Sequence, residues 1–308
     1  MLTPIGDIIE LRTPRSTASV ATLAAALTSF TVDGRDLAER TPATRLPSHG
    51  HGIVLAPWPN RVRDARWSHE GQPLQLDITD PTRGNAIHGL LRNTAYRVLA
   101  RDEASVELGA VIHPQHGWPF QLETIVRYAL AEDGLTVTHR ARNIGRARAP
   151  WAVGAHPYFR IGETPVDDLT LEVPAARYLE LDERLVPVGV ADVEPGSELD
   201  LGSPRRLGDA DLNVAYEGLP VGGDVATLTA PDGSRLVLWQ DGDFGWLQVF
   251  TPRDFPHVAS DGSETRGLAV ALEPMSAAPD ALNSGRGLAW LEPDEIWEAS
   301  WGARFEES

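Results

Sequence analysis

Apolar side chains in this chain recur at every second position in short runs, and turn residues close each run. The segments Ala95–Leu99, Gln121–Leu130, Leu135–Ala141, Leu169–Val173 and Arg235–Trp239 are alternating or β-branched. A period of two turns one face of a strand toward a core. Between the runs stand Asp33-Gly34, Glu70-Gly71, Asp133-Gly134, Pro231-Asp232-Gly233 and Asp241-Gly242, dipeptides and tripeptides that favour chain reversal. Glu123–Leu130 and Leu135–Ala141 flank Ala131-Glu132-Asp133-Gly134 and predict a β-hairpin. Ala18–Phe30 predicts a pair of core strands. Helical spacing is confined to Leu207–Leu212 and Ala278–Leu282, each predicted as a single turn. Strand-type segments continue end to end, with no low-complexity linker and no fixed-period repeat. The expected fold is one all-β domain over residues 1–308, a large β-sandwich with few short helical turns.

Composition narrows the chemistry. Of 308 residues, 42% are hydrophobic, enough for a substantial core. Asp and Glu number 44 against 27 Lys and Arg, a net charge of −17. Such a field repels phosphates, so neither nucleic acid nor a membrane surface is expected as a partner. The chain has no cysteine, which excludes disulfides, thiolate metal sites and a cysteine nucleophile and suits a cytoplasmic protein. The weakly polar stretch Ala18–Phe30 is interrupted by Ser19, Thr22, Thr28 and Ser29 and is shorter than the ~20 apolar residues of a membrane span. Asp7 and Glu10 ahead of it also argue against a secretion signal.

Nine histidines are present, and two stand out by context. His156 lies in Gly154-Ala-His-Pro-Tyr-Phe159, beside a proline and two aromatics. His88 directly precedes Gly89, which allows close approach to the backbone. His49-Gly-His51 and His113-Pro-Gln-His116 come nearest to metal-ligand spacing, but their Pro- and Gly-rich surroundings place them at the surface, and no metal site is expected. Glu273 follows the apolar run Gly267–Leu272 and precedes a proline. A carboxylate at the end of a buried strand is costly unless it is hydrogen-bonded or catalytic; the alternative is a Glu that caps the following turn. Ala56-Pro-Trp-Pro-Asn-Arg61 is a rigid loop whose indole, amide and guanidinium suit a sugar, though a structural Trp58 with a surface Arg61 is an alternative. Nucleophile-elbow, P-loop and dinucleotide fingerprints are absent. What remains is acid/base work by His and Glu on a polar, neutral substrate.

In chain order the sequence carries Pro59-Asn60-Arg61, His88-Gly89-Leu90, Gly117-Trp-Pro-Phe120, Asn143 with Ala149-Pro150, His156-Pro-Tyr-Phe159, Gln248-Val-Phe-Thr-Pro252, Glu273-Pro-Met275 and Leu291-Glu-Pro-Asp294. This ordered set resembles the aldose 1-epimerase (galactose mutarotase-like) family over roughly residues 20–305. The resemblance implies a sandwich with an open sugar cleft and interconversion of α- and β-anomers of a hexose such as galactose or glucose, without cofactor. It implies His156 as general acid and Glu273 as general base, an assignment that suits a His partly protonated near neutral pH beside an ionised carboxylate. It also implies sugar contacts from Asn60, Arg61, His88, Gln248 and an aspartate, Asp211, with Asp209 the competitor. Leu90-Leu91-Arg92 departs from the Gly-rich continuation of familiar galactose mutarotases. Arg92 is then either a solvated strand-end residue or, with Arg61, a partner for the anionic group of a hexose 6-phosphate or sulfo-sugar. A non-catalytic carbohydrate-binding protein on the same fold and a glycoside hydrolase are the competing classes; the latter needs two carboxylates, of which only one is well placed. A monomer or homodimer is expected.

Overall fold

A computed structural model describes residues 3–259 and 261–308. Among the described residues the regular structure is almost all strand, with one four-residue α-helix, Ala281–Ser284, and short 3₁₀ turns. Both predicted helical segments are present in that reduced form, since Leu207–Asp209 is one of the 3₁₀ turns. The predicted hairpin spans Leu122–Leu130 and Gly134–Asn143, closing with Leu130 opposite Leu135. Its alternation sorts Val126, Tyr128, Leu135 and Val137 into the core and leaves Arg127 outside. The predicted core pair is Ser16–Ala21 with Leu27–Val32, inside a four-stranded N-terminal sheet.

Two large sheets carry the architecture. A nine-stranded sheet has the hairpin near one end and continues through Ile296–Glu306, Arg235–Gln240 and Gly223–Thr229. An eight-stranded sheet has Asn213–Glu217, Trp246–Phe250 and Val270–Met275 side by side at its centre. One hydrophobic cluster joins them, with Leu108, Val126, Val137, Leu236 and Trp301 from the first sheet and Tyr216, Leu247, Val249 and Leu272 from the second. The sandwich expectation therefore holds, and the reason is the two-residue period read from the sequence. Among the described residues no helix is long and apolar enough to cross a membrane.

A buried side chain ties one turn across to the neighbouring sheet. Tyr128 reaches out of the hairpin and donates its hydroxyl to the Ala25 carbonyl at 2.7 Å, fastening the nine-stranded sheet to the turn of the N-terminal sheet. Replacing Tyr128 by Phe removes that donor and leaves the buried carbonyl of Ala25 bare. The expected loss is about 1–2 kcal/mol of unfolding free energy, measured by urea denaturation with an unchanged m-value.

Candidate active site

The eight-stranded sheet turns its second face away from the sandwich core, and that face builds the site. On Val270–Met275, Val270 and Leu272 enter the core, so Ala271, Glu273 and Met275 point the other way. Leu247 and Val249 face the core from the neighbouring strand, which leaves Gln248 outward and directly opposite Glu273 in the ladder. Val214 and Tyr216 likewise pack against the core and put Asn213 on the outer face, opposite Phe250. Pro274 does not end the strand: it pairs with Leu247 and the chain continues extended to Met275. Glu273 thus stands in mid-strand, which replaces the expectation of a strand-end carboxylate or turn cap.

Loops enclose this face into a cleft of about 530 Å³, a size suited to a small polar molecule. His156 arrives from the short strand Gly154–Ala155, which pairs with Val54–Leu55 and with Met275. His156 Nε2 lies 3.5 Å from Glu273 Oε1, and both residues are buried. His88 meets the His156 ring edge-on at 5.4 Å. It holds a left-handed backbone conformation, and Gly89 behind it packs so closely on the Ala56 carbonyl that a Cβ would collide. Tyr158 stacks on His156, with centroids 5.2 Å apart and planes 20° apart. Asn60 donates to Gln248 at 3.2 Å, and Gln248 donates to Asn213 at 2.9 Å, giving a line of amides along one wall. Arg61 Nε donates to Asp80 at 2.9 Å, and Arg83 lies 3.8 Å from the same carboxylate.

Burial controls the ionisation of the central pair. It pushes the His156 imidazole down to about 3, with nearby His51 a smaller contribution in the same direction. It pushes the Glu273 carboxyl up to about 8 against the opposing charge of Arg61. Both groups move toward their neutral forms, so between these limits the pair holds a single proton, resting on Glu273. This corrects the expectation of a part-protonated histidine beside an ionised carboxylate. His88 is also held well below its ordinary value, first by burial and then by His156 and two arginines. Several side-chain polar atoms of the cleft residues have no hydrogen-bond partner among the described residues: His88 Nδ1, Arg92 Nη1, His156 Nδ1 and Glu273 Oε2. Such bare groups are costly in a fold with no use for them.

The cleft gathers His156, Glu273, Asn60, Arg61, His88 and Gln248 on its wall, and Arg92 with them. Arg92 is half-buried rather than a solvated strand-end residue. Asp211 is exposed and absent from the wall, as is Asp209; the wall residue of that segment is Asn213. The reason is that Asn213 opens the strand, whereas Asp211 precedes it. Trp58 is also outside the cleft: it is buried in the core against Trp118, at 5.7 Å between centroids, so the structural alternative for that indole is the correct one. His51 is fully buried, not at the surface, while His113 and His116 are exposed as expected. Asp80, Arg83 and Asn213 were missed from sequence. Asn213 was recoverable from the alternation of Asn213–Glu217, but Asp80 sits in an irregular loop with no pattern to mark it.

Comparison with known proteins agrees with this arrangement. The aldose 1-epimerase family matches residues 7–303. An uncharacterized Escherichia coli K12 protein, YihR, is 32% identical over 290 residues, covering 93% of this chain and 89% of its own. Rat galactose mutarotase is 29% identical over 164 residues, 51% of this chain and 46% of its own, so that likeness spans about half of each. In three dimensions a GalM/aldose epimerase homologue from C. elegans superposes with a TM-score of 0.86, covering 98% of this chain and 99% of its own at 17% identity, a likeness of fold.

The ionisation pattern is directly measurable. Long-range ¹H–¹⁵N NMR of the histidine rings is expected to show His156 neutral at pH 6, with a midpoint far below the unperturbed ~6.5. A midpoint near that ordinary value would mean that burial does not govern the pair.

Proposed function

This chain belongs to the aldose 1-epimerase family, and on that premise we propose that it interconverts the α- and β-anomers of a hexopyranose by acid/base ring opening. The observation that carries the proposal is the His156–Glu273 pair, 3.5 Å apart and buried side by side in the cleft. A pyranose laid against the pair brings hydroxyl donors to the bare Glu273 Oε2, which favours the carboxylate. Arg61 favours it as well. The shared proton then passes to His156. His156 gives it to the ring oxygen while Glu273 takes the proton of the anomeric hydroxyl, so the C1–O5 bond breaks and the C1 carbonyl forms. Rotation about C1–C2 presents the other carbonyl face. Closure runs the transfers in reverse, with Glu273 protonating the carbonyl oxygen and His156 accepting the proton of O5. Protons and electrons balance without a co-reactant. Asn60, Gln248, Asn213 and His88 supply the hydrogen-bonding wall that a ring of hydroxyls needs. A binding module has no use for a buried acid and base side by side, and a glycosidase needs a second free carboxylate, whereas Asp80, the other carboxylate of this wall, is held by Arg61 and Arg83.

A second reading of the substrate is favoured by Arg92. Arg61 and Arg83 share the Asp80 carboxylate, whereas Arg92 Nη1 is buried without a partner among the described residues. A bare guanidinium nitrogen facing a cleft is satisfied best by an oxyanion. The hexose would then carry a phosphate or sulfonate.

Optical rotation of freshly dissolved α-D-glucose and α-D-galactose tests the reaction. Wild type is expected to accelerate equilibration, and His156→Ala and Glu273→Gln each to lower kcat by ~10²–10⁴-fold. The pH dependence follows from the pair. Above about 8 it loses its only proton and no acid remains, and below about 3 it carries two and no base remains. The expected kcat/KM is therefore level through the mildly acid and neutral range and falls tenfold per unit on the alkaline side. A catalytic rate indifferent to both substitutions would overturn the assignment.

The charged-substrate reading is tested separately with glucose 6-phosphate and a sulfonated hexose. Preference for either over glucose, lost by about tenfold or more in Arg92→Ala, is the expected result if an anion binds there. Equal preference in wild type and variant assigns the cleft to neutral sugars.

A further inference from the structure

His51 is fully buried behind the cleft, has no part in the acid/base scheme, and touches the segment that carries His156. That segment is poorly served by ordinary ladder pairing. Gly154–Ala155 pairs with Val54–Leu55, Pro157 has no N–H to offer, and pairing resumes only at Tyr158 opposite Ala271. At this break the His51 side chain takes the place of a peptide group. Its Nδ1 accepts the Tyr158 N–H at 3.1 Å, and its Nε2–H donates to the Glu39 carbonyl at 2.7 Å. Glu39 completes the bracket by donating its own N–H to the Tyr158 carbonyl at 2.9 Å. One residue further along, Gly52 N–H donates to the His156 carbonyl at 2.8 Å, and His156 N–H donates to the Ile53 carbonyl at 3.1 Å.

The arrangement specifies the ring's chemical state. Because the Tyr158 N–H points at Nδ1, that nitrogen must carry the lone pair and Nε2 the proton, so His51 is neutral. Glu39 is equally committed: its side chain is fully buried, accepts from His257 Nδ1 at 3.0 Å and lies 3.5 Å from Arg160. The His51 ring also meets the Tyr158 ring edge-on at 5.7 Å, and Tyr158 in turn stacks on His156. Both the backbone height and the ring plane of His156 are thereby referred to His51.

We propose that His51 is a positioning residue for the reaction: a neutral imidazole standing in for a peptide group, which sets His156 at its distance from Glu273. The proposal rests on the mutarotase reading only for its activity readout. Displacing a reacting group by about 1 Å can cost ~10²-fold in rate without changing what binds.

The test compares His51→Asn, whose side-chain oxygen can reach the Nδ1 position, with His51→Gln, whose amide reaches toward Nε2 and leaves the Tyr158 N–H without its acceptor. Mutarotation of α-D-glucose and α-D-galactose is followed well below each variant's Tm and normalised to folded protein. In His51→Gln, kcat is expected to fall by about 10–100-fold with KM within a factor of two, and the His156 ring resonances and titration midpoint are expected to move. In His51→Asn, kcat should stay within a few-fold of wild type and the His156 resonances near their original positions. Equal kcat in the two variants, or a loss confined to Tm, overturns the proposal. So do unmoved His156 resonances in His51→Gln. If wild type does not act on either sugar, the mutarotase reading of substrate fails, and the His156 resonances still decide this one.

Discussion

A carboxylate buried in the middle of a β-strand is the constraint around which this molecule is arranged. Glu273 is 2% exposed, with a core leucine before it and a strand-bound proline after it. Leaving it charged and alone would cost several kcal/mol. The protein does not neutralise it with a close arginine. It places an equally buried imidazole 3.5 Å away and holds the carboxyl toward its protonated form by burial. The result is a group held near its protonated form by burial and within reach of a base, which is the state a reversible proton transfer needs.

Much of the surrounding structure serves to keep that pair in place. The eight-stranded sheet supplies Glu273, Gln248 and Asn213 in register from three adjacent strands, so their spacing is that of the ladder itself. Histidine side chains serve opposite ends. His156 lies inside the cleft, while His51, buried and pushed down to about 4, works as a fixed hydrogen-bonding unit behind it. A third, His139, accepts from Trp301 in the nine-stranded sheet and is a core histidine with no chemistry. Burial favours the neutral form in all three, and they differ only in their neighbours.

Charge is distributed against the overall trend. The chain carries −17, yet three arginines line the cleft against one aspartate and Glu273, which burial holds toward its neutral form. At moderate salt the exposed acidic surface is screened beyond ~10 Å, so the local cluster decides what the cleft attracts. Arg61 and Arg83 are balanced by Asp80, and Arg92 Nη1 has no partner among the described residues.

Periodicity was enough to specify the all-β class, the hairpin at Ala131–Gly134 and the short helical turns, because side-chain alternation and turn chemistry are local properties. Motif order along the chain was enough to single out His156, Glu273, Asn60, Arg61, His88 and Gln248. Beyond that, local signals ran out. Asp211 and Asn213 differ by two residues, and only the start of the strand decides which one faces the cleft. Trp58 belongs to a loop motif that suits a sugar, but packing against Trp118 took its ring into the core. His51 lies in a glycine-rich stretch that looks exposed, and becomes internal only when the Tyr158 segment folds over it. The sequence by itself determined which residues were available and the period that sorts them onto two faces. The tertiary structure alone decided which buried groups meet across distant strands, and with that their ionisation, because desolvation and proximity are properties of the assembled fold rather than of the residues.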